Sequence, residues 1–387
     1  MGRPSVTPCR IAYVSGTRAD FGLMRRALLA IQADKGFTVE VAATGMHLDA
    51  DYGHTVDEIV ASGLPVGMRV PNASGPRDGL ATVCAMSQTM QGFAAHWSAH
   101  RPDTVLLLGD RAEMLAGALA AAHLAIHTIH VHGGERSGTL DEPIRHAISK
   151  LATRHWVATQ DSRQRLMRMG EQAERIDVVG APGLDGLAAD AHAGQGDLIS
   201  QFGEFWDLTQ PWVLALMHPE GHDPTAAHAQ TTALLVALQQ LNLPVLWLWP
   251  NADAGSAGVL NALQTMGKRS HIHVVRHLPR PAFCAAMASA SVLVGNSSSG
   301  VIEAASFSTP ALNLGLRQRL RQRSANVQDA PWEAAAIFEG LQNCISTGKP
   351  AVTNVYGDGQ ATARMLASLR EWQAAPASWQ LEKFNAY

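Results

Sequence analysis

The sequence predicts an α/β protein made of two doubly wound domains that face each other across a cleft. Three observations carry that prediction. Short, nearly continuous apolar runs alternate with longer amphipathic stretches, the pattern of parallel strands covered on both faces by helices. The alternation restarts near Trp212. At 387 residues the chain is also long for one compact core, which favours two.

In the first half, "RIAYVSG" (10–16), "TVEVAAT" (38–44), "TVLLLG" (104–109), "IHTIHVH" (126–132) and "HWVAT" (155–159) read as strands. Helical stretches at 20–33, 78–98, 111–124 and 142–153 separate them. In the second half the strands are "WVLALM" (212–217), "PVLWLW" (244–249), "HIHVV" (271–275), "SVLVG" (291–295) and "ALNLG" (311–315), with helices near 224–241, 256–267 and 280–289. The expected division is a first domain over 1–185, a linker over 186–210 and a second domain over 211–387. The linker assignment rests on a Gly-, Ala- and Asp-rich stretch without a clear strand. A last helical run, about 357–373, is open between the two domains: it stays with the second or packs back on the first. No short-period repeat is present.

Composition excludes several classes. Lys and Arg total 30 against 33 Asp and Glu, a net charge of −3, so the basic bias of a nucleic-acid or membrane-surface protein is missing. Apolar residues make up 47% and charged residues 16%, ordinary for a globular chain. The four cysteines, Cys9, Cys84, Cys284 and Cys344, are scattered and form no CxxC pair. No run reaches membrane-span length, and "MGRPSVTPCR" lacks the apolar core of a signal peptide. A reduced, cytoplasmic protein is expected.

In open α/β sheets ligands bind beyond the carboxyl ends of the strands, and the polar motifs lie there. "SGTRADFG" (15–22) follows the first strand: Gly16 permits a turn, Arg18 offers a fixed charge for phosphate, and Asp20 suits a helix cap. "LLLGDRAE" (106–113) puts Asp110 beyond a buried strand, as a cap or as a catalytic carboxylate. "HVHGGERSGTLDEPIRHAI" (130–148) is the densest cluster. Strand alternation would turn His130 and His132 to one face. Asp141 can cap the following helix, on which Glu142, Arg145 and His146 share a face. His-x-His without a third ligand, beside an arginine, is a poor metal site. Acid–base work by His132, Glu135 and Asp141 next to an anion-holding Arg145 fits better, so no metal is expected.

In the second half, "MHPE" (217–220) places His218 at a strand end, and "WPNADAGSAG" (249–258) places Asn251 and Asp253 in a polar turn. "VGNSSSGVIEAASF" (294–307) follows a buried strand with serines and Gly300 at a helix start, a phosphate cradle in which Ser297 and Ser298 donate. Glu303 is placed for ribose hydroxyls. In "NLGLRQRLRQR" (313–323), Arg317 is a natural diphosphate clamp, and several of Arg319, Arg321 and Arg323 read as a solvated helix face.

Together "YVSGTRADFGLMRR", "TGMHLDADYGHT", "LLLGDRAE", "HVHGGE", "LDEPIRHAISK", "WPNADAGS" and "GNSSSGVIEAASF" resemble, in order, the hydrolysing UDP-N-acetylglucosamine 2-epimerases, especially the bacterial sialic-acid-pathway branch. The resemblance runs from about Ile11 to Val327. It implies a GT-B-type arrangement of two Rossmann-like domains with a UDP-sugar between them, no cofactor, and a homodimer or higher homo-oligomer. Carried over by position, Arg18, Asn251, Asp253, His277, Ser297, Ser298, Gly300, Glu303 and Arg317 would hold UDP. His218 would act at the leaving diphosphate, with Asp110, Asp141 and Arg145 at the sugar. Many relatives carry glutamate where this chain has His132, with Glu135 three residues on.

The implied chemistry accounts for these residue types. The sugar C2–H is not acidic until UDP begins to leave and C1 becomes cationic. Elimination then gives a glycal, and water adds to give the free 2-epimer and UDP. Cations stabilise the leaving diphosphate and carboxylates move protons near C1–C2. UDP-N-acetylglucosamine is the expected substrate, giving N-acetylmannosamine. The alternative is a UDP-2,4-diacetamido-2,4,6-trideoxyhexose used for legionaminic acid. The rival readings are a glycosyltransferase on the same fold, which would need an acceptor, and a non-catalytic UDP-sugar-binding regulator.

Overall fold

A computed structural model describes residues 8–50, 53–72, 79–138, 140–205, 207–221, 223–250, 255–267, 271–375, 383 and 385–386. The first half alternates β1 (Cys9–Ser15), α1 (Arg18–Ala33), β2 (Phe37–Thr44), α2 (Val56–Ala61), β3 (Val66–Val70), α3 (Gly79–Ala99), β4 (Thr104–Leu108), α4 (Ala112–His123), β5 (His127–Val131), α5 (Asp141–Leu151), β6 (Arg154–Val157), α6 (Gln160–Arg168) and β7 (Ile176–Val178). Its strands form one parallel seven-stranded sheet in the order β3-β2-β1-β4-β5-β6-β7.

After α7 (Leu187–Phe202) come β8 (Val213–Leu216), α8 (Pro224–Leu241), β9 (Val245–Leu248), α9 (Ser256–Met266), β10 (Ile272–Val275), α10 (Arg280–Ser289), β11 (Val292–Gly295), α11 (Ser298–Ile302), β12 (Ala311–Leu314), β13 (Val327–Ala330), α12 (Ala334–Thr347) and α13 (Ala361–Ala374). These strands form a parallel six-stranded sheet, β10-β9-β8-β11-β12-β13. In each sheet the order reverses once, between β1 and β4 and between β8 and β11. Those two points are where a doubly wound sheet opens a crevice for a ligand.

The central strands form because both faces are covered. Every residue of β4, β5, β8, β9, β11 and β12 is buried. The edge strands β3, β7 and β13 alternate or are half-exposed, so their sequences show no apolar run and escape the sequence reading. Helix α1 starts from a capping box: Thr17 accepts from Asp20 N, and the Asp20 carboxylate accepts from Thr17 N at 2.8 Å. Thus Thr17 is the cap and Asp20 its reciprocal partner. Phe21, Met24, Leu28 and Ile31 then bury one stripe of α1 against the sheet, each stabilising by about 2 kcal/mol.

Residues 186–210, read as a linker, are helical over most of their length. Helix α7 buries Leu187, Ala191, Leu198 and Phe202, and the last two join the second core with Trp212 and Leu214. Gly194 is required by close packing: a Cβ there would lie 2.1 Å from the Pro281 backbone. The chain passes between domains here and again near 354–362, where Ala181 N donates to Tyr356 O at 2.8 Å. Asp185 accepts from Ala361 N and Thr362 N at 3.0 and 2.6 Å and so caps α13. Helix α13 returns to the first domain, placing Met365, Leu369 and Trp372 in its core. No helix among the described residues is long and apolar enough to cross a membrane.

Candidate active site

The carboxyl ends of the two sheets meet through two loops, 132–140 after β5 and 315–323 after β12. The approach is close. Gly138 N donates to Arg317 O at 3.1 Å, and a Cβ on Gly138 would lie 1.7 Å from Leu316 O, so only glycine fits. Arg317 Nη2 lies 3.7 Å from the Asp141 carboxylate, and Arg321 pairs with Glu135.

Strand β5 ends at Val131, and His132 adopts φ +63°. The left-handed turn breaks the alternation expected for "HVH", so His130 and His132 part company. His130 stays in the sheet, with Nε2 at 2.7 Å from Gly109 O and Nδ1 at 2.9 Å from Ser149 Oγ. Burial is the main reason its pKa falls to about 3. It fixes the end of β4 beside α5, and both its nitrogens are engaged.

His132 instead turns its Nδ1 onto the Glu135 carboxylate. Burial, with Arg321 and Arg145 nearby, pushes its pKa down to about 3, so the imidazole is neutral at ordinary pH. A neutral ring with its Nδ1–H on a carboxylate presents Nε2 as a base. Glu135 has both oxygens engaged, one on His132 and one on Arg321. Its geometry is that of an orienting group.

Arg145 reaches up from α5 and is 1% exposed. It donates to the Glu135 carbonyl at 3.0 Å and to Ser137 Oγ at 3.4 Å, and pairs with Asp110. It therefore supports the 132–140 loop from beneath. Burial alone would raise the Asp110 carboxyl, but Arg145, Arg321 and Arg317 together hold it below the ordinary carboxylate value. Neither aspartate has the capping geometry that the sequence suggested. The residue at the cap position is Arg111 for α4 and Leu140 for α5, and neither makes a side-chain capping bond. Asp110 faces Arg145, and Asp141 is the first residue of α5, turned toward Arg317. Glu142 bends back to accept from Ser137 N at 2.6 Å.

The second-domain residues stand around the other switch point. His218, at the end of β8, is clamped by Asn296: His218 N donates to Asn296 Oδ1, and Asn296 Nδ2 to His218 O, each at 2.8 Å. Gly295, with φ +133°, lets β11 approach so closely that a Cβ would lie 1.9 Å from Leu216 O. Helix α11 is a single short turn capped by Ser297, whose Oγ accepts from Ser299 N at 3.4 Å. Ser298 opens it, and Gly300 is buried against Leu293. Glu303 lies 2.6 Å from Arg280 Nη2, a partner without a sequence signal. Glu220, also unforeseen, holds the 315–323 loop by accepting from Leu316 N at 2.6 Å and Arg317 N at 3.0 Å.

Arg18 and His277 form a separate pair across the domains, at 3.2 and 3.7 Å from the Glu58 carboxylate. Burial and Arg18 push the His277 pKa down to about 3. Asn251 and Asp253 lie outside the described residues. Among the described residues no group of three or more His, Cys, Asp or Glu is placed to hold a metal ion. The site thus joins two aspartates and a neutral imidazole to a set of guanidiniums. That arrangement suits proton transfer beside a departing anion.

Residues 29–370 match the family model described as UDP-N-acetylglucosamine 2-epimerase. The chain is 40% identical over 379 residues, covering 98% of it and 99% of the relative, to a UDP-N,N'-diacetylbacillosamine 2-epimerase (hydrolyzing) of Legionella pneumophila. It is 28% identical over 351 residues, 90% of it and 91% of the relative, to a UDP-N-acetylglucosamine 2-epimerase of Neisseria meningitidis. Among solved structures, a UDP-GlcNAc 2-epimerase of Methanocaldococcus jannaschii in complex with UDP-GlcNAc and UDP shares the fold, with a TM-score of 0.81 at 15% identity over 94% of this chain and 99% of that one.

Proposed function

The chain belongs to the UDP-N-acetylglucosamine 2-epimerase family, and from that premise we propose that it is a hydrolysing 2-epimerase acting on a UDP-2,4-diacetamido-2,4,6-trideoxyhexose, releasing UDP and the free 2-epimeric sugar. The observation that carries the substrate is the 40% identity, over nearly the whole length of both chains, to the Legionella pneumophila diacetylbacillosamine enzyme. It favours this sugar over the UDP-N-acetylglucosamine expected from the motifs alone. UDP-N-acetylglucosamine stays as the second reading, supported by the 28% identity to the Neisseria meningitidis relative.

In this reading Arg18, Asn251, Asp253, His277, Ser297, Ser298, Glu303 and Arg317 hold UDP, with Gly300 keeping α11 against its strand. As the C1–O bond breaks, the electron pair leaves with the diphosphate, whose charge Arg317 and His218 meet. C1 becomes cationic and C2–H acidic. His132 Nε2 takes that proton, Glu135 orients its ring, and the product is a glycal. Water then adds its hydroxyl to C1, and its proton, relayed by the ionised Asp110–Asp141 carboxylates, reaches C2 on the opposite face, while His132 returns its proton to solvent. Arg145 acts by holding Asp110 and the 132–140 loop in place.

The test is a side-by-side assay with the two UDP-sugars, identifying the released sugar and quantifying UDP. A higher kcat/KM for the diacetamido sugar is expected. Preference for UDP-N-acetylglucosamine would select the second reading. Turnover that depends on an added sugar acceptor would replace both with a glycosyltransferase.

A further inference from the structure

Of Arg319, Arg321 and Arg323, several of which were read as a solvated helix face, Arg321 has a side chain only 10% exposed. It belongs to a turn that both domains hold. On its own side, Gly315 N donates to Ala330 O at 3.1 Å and Tyr356 OH to Gln322 O at 2.9 Å, while Glu220 ties down Leu316 and Arg317. Toward the first domain, Arg317 O accepts from Gly138 N. Arg321 then pairs with the one Glu135 oxygen that His132 does not use. The carboxylate is thereby fixed at both ends, by groups from different domains. Neighbouring Arg323 takes another route, to Asp329 at 2.7 Å and to local carbonyls.

We propose that Arg321 is a positioning residue, reaching from the second domain to Glu135, that completes the His132–Glu135 pair only when the domains close. Opening the cleft withdraws Arg321 with its turn and leaves Glu135 free to rotate, so His132 loses its fixed partner. The proton-transfer group is then aligned only in the closed cleft, where bulk water cannot quench it. The inference rests on the reading of His132 as the proton-transfer group, and it explains how a histidine works where many relatives carry a glutamate.

The test compares wild type with Arg321→Met and Arg321→Lys, all saturated with UDP. Nitrogen-15 NMR of labelled histidines reads the state of His132, whose signal is identified by its loss in His132→Gln. Wild type should show a neutral ring protonated on Nδ1 throughout the range around neutrality. Arg321→Met should show mixed tautomers and a titration moved upward by at least about one unit, since a positive neighbour is gone. In turnover, kcat should fall roughly 10- to 100-fold while KM and UDP affinity change by less than about 3-fold. Arg321→Lys, which keeps the charge without the fork, should recover part of kcat. An unchanged His132 signal in Arg321→Met overturns the proposal, whatever the turnover. So does a loss confined to KM and UDP affinity, which would make Arg321 a nucleotide clamp. If wild type releases no UDP from either sugar while the His132 signal responds as described, the pairing stands and the proposed reaction fails.

Discussion

Removing the Asp110 charge should destabilise the first domain through Arg145. Arg145 is 1% exposed, whereas the Asp110 side chain is 21% exposed, so the arginine is the group that cannot reach water. Asp110→Asn keeps the shape and an acceptor oxygen but removes the counterion, leaving that guanidinium among neutral acceptors only: the amide, the Glu135 carbonyl and Ser137 Oγ. A buried charge stripped of its counterion costs about 3–5 kcal/mol, and the surviving bonds place this one near about 3. Arg145→Met should cost a similar amount, because Asp110 rehydrates while the 132–140 loop loses its support. The double variant removes the stranded charge and should recover about 2 kcal/mol of the summed loss. Urea unfolding, with hydrogen exchange in β4 and α5 reporting the first domain, measures all corners of the cycle. Asp110 has its folded pKa below its unfolded one. The stabilisation is therefore complete above the unfolded value of about 3.9 and is lost as pH falls through the folded value. The cost of Asp110→Asn should thus be flat from pH 5 to 8, taken as a rough window, and shrink only in stronger acid. Additive single costs, within about 0.5 kcal/mol, would refute the pairing.

Further outcomes are expected. UDP alone should raise the melting temperature, and Arg317→Ala should abolish most of that shift, as differential scanning fluorimetry would show; equal shifts in both proteins would remove Arg317 from the nucleotide site. Prolonged chelation should leave turnover intact, since both His130 nitrogens are engaged within the fold and His132 Nδ1 is held by Glu135; activity restored only by a divalent ion would contradict that. His47, His130 and His132 are held neutral by burial, with pKa values near about 4, 3 and 3. Each lowered value adds stability that is complete above the unfolded pKa of about 6.5 and declines as pH falls toward the folded value. Together they should steepen acid destabilisation to as much as about 4 kcal/mol per pH unit below that point, and a flat melting temperature between neutrality and about pH 5 would disprove it. Asp185→Ala should uncap α13 and cost about 1 kcal/mol by urea unfolding, with no change expected if α13 is held by packing alone.

The central strands were legible because burial on both faces leaves an apolar run, and the polar residues past them were legible because turns follow strand ends. Three of the four edge strands were not: β13, for example, is "VQDA" with one residue fully buried, whereas the edge strand β10 keeps enough apolar residues to be read. Helix α7 was hidden by its Gly- and Ala-rich composition, in which only Gly194 and Ala191 are set by packing. The position of Asp110 and Asp141 was readable, but their orientation was not: cap and ion-pair partner look alike until Arg145 and Arg317 arrive from elsewhere in the fold. His132 defeated a period-two reading because its backbone leaves the strand one residue early. Arg321 differs from Arg319 and Arg323 only in what the other domain brings to it, and no local pattern carries that information.

The elimination–hydration reaction is tested most directly by turning over UDP-2,4-diacetamido-2,4,6-trideoxyhexose in D₂O and reading the released sugar by NMR and mass spectrometry. Water supplies the new C2 proton in this scheme, so the 2-epimer should carry one deuterium at C2 from the first turnovers, with UDP released in equal amount. A 2-epimer without deuterium at C2, or one still attached to UDP, would contradict it.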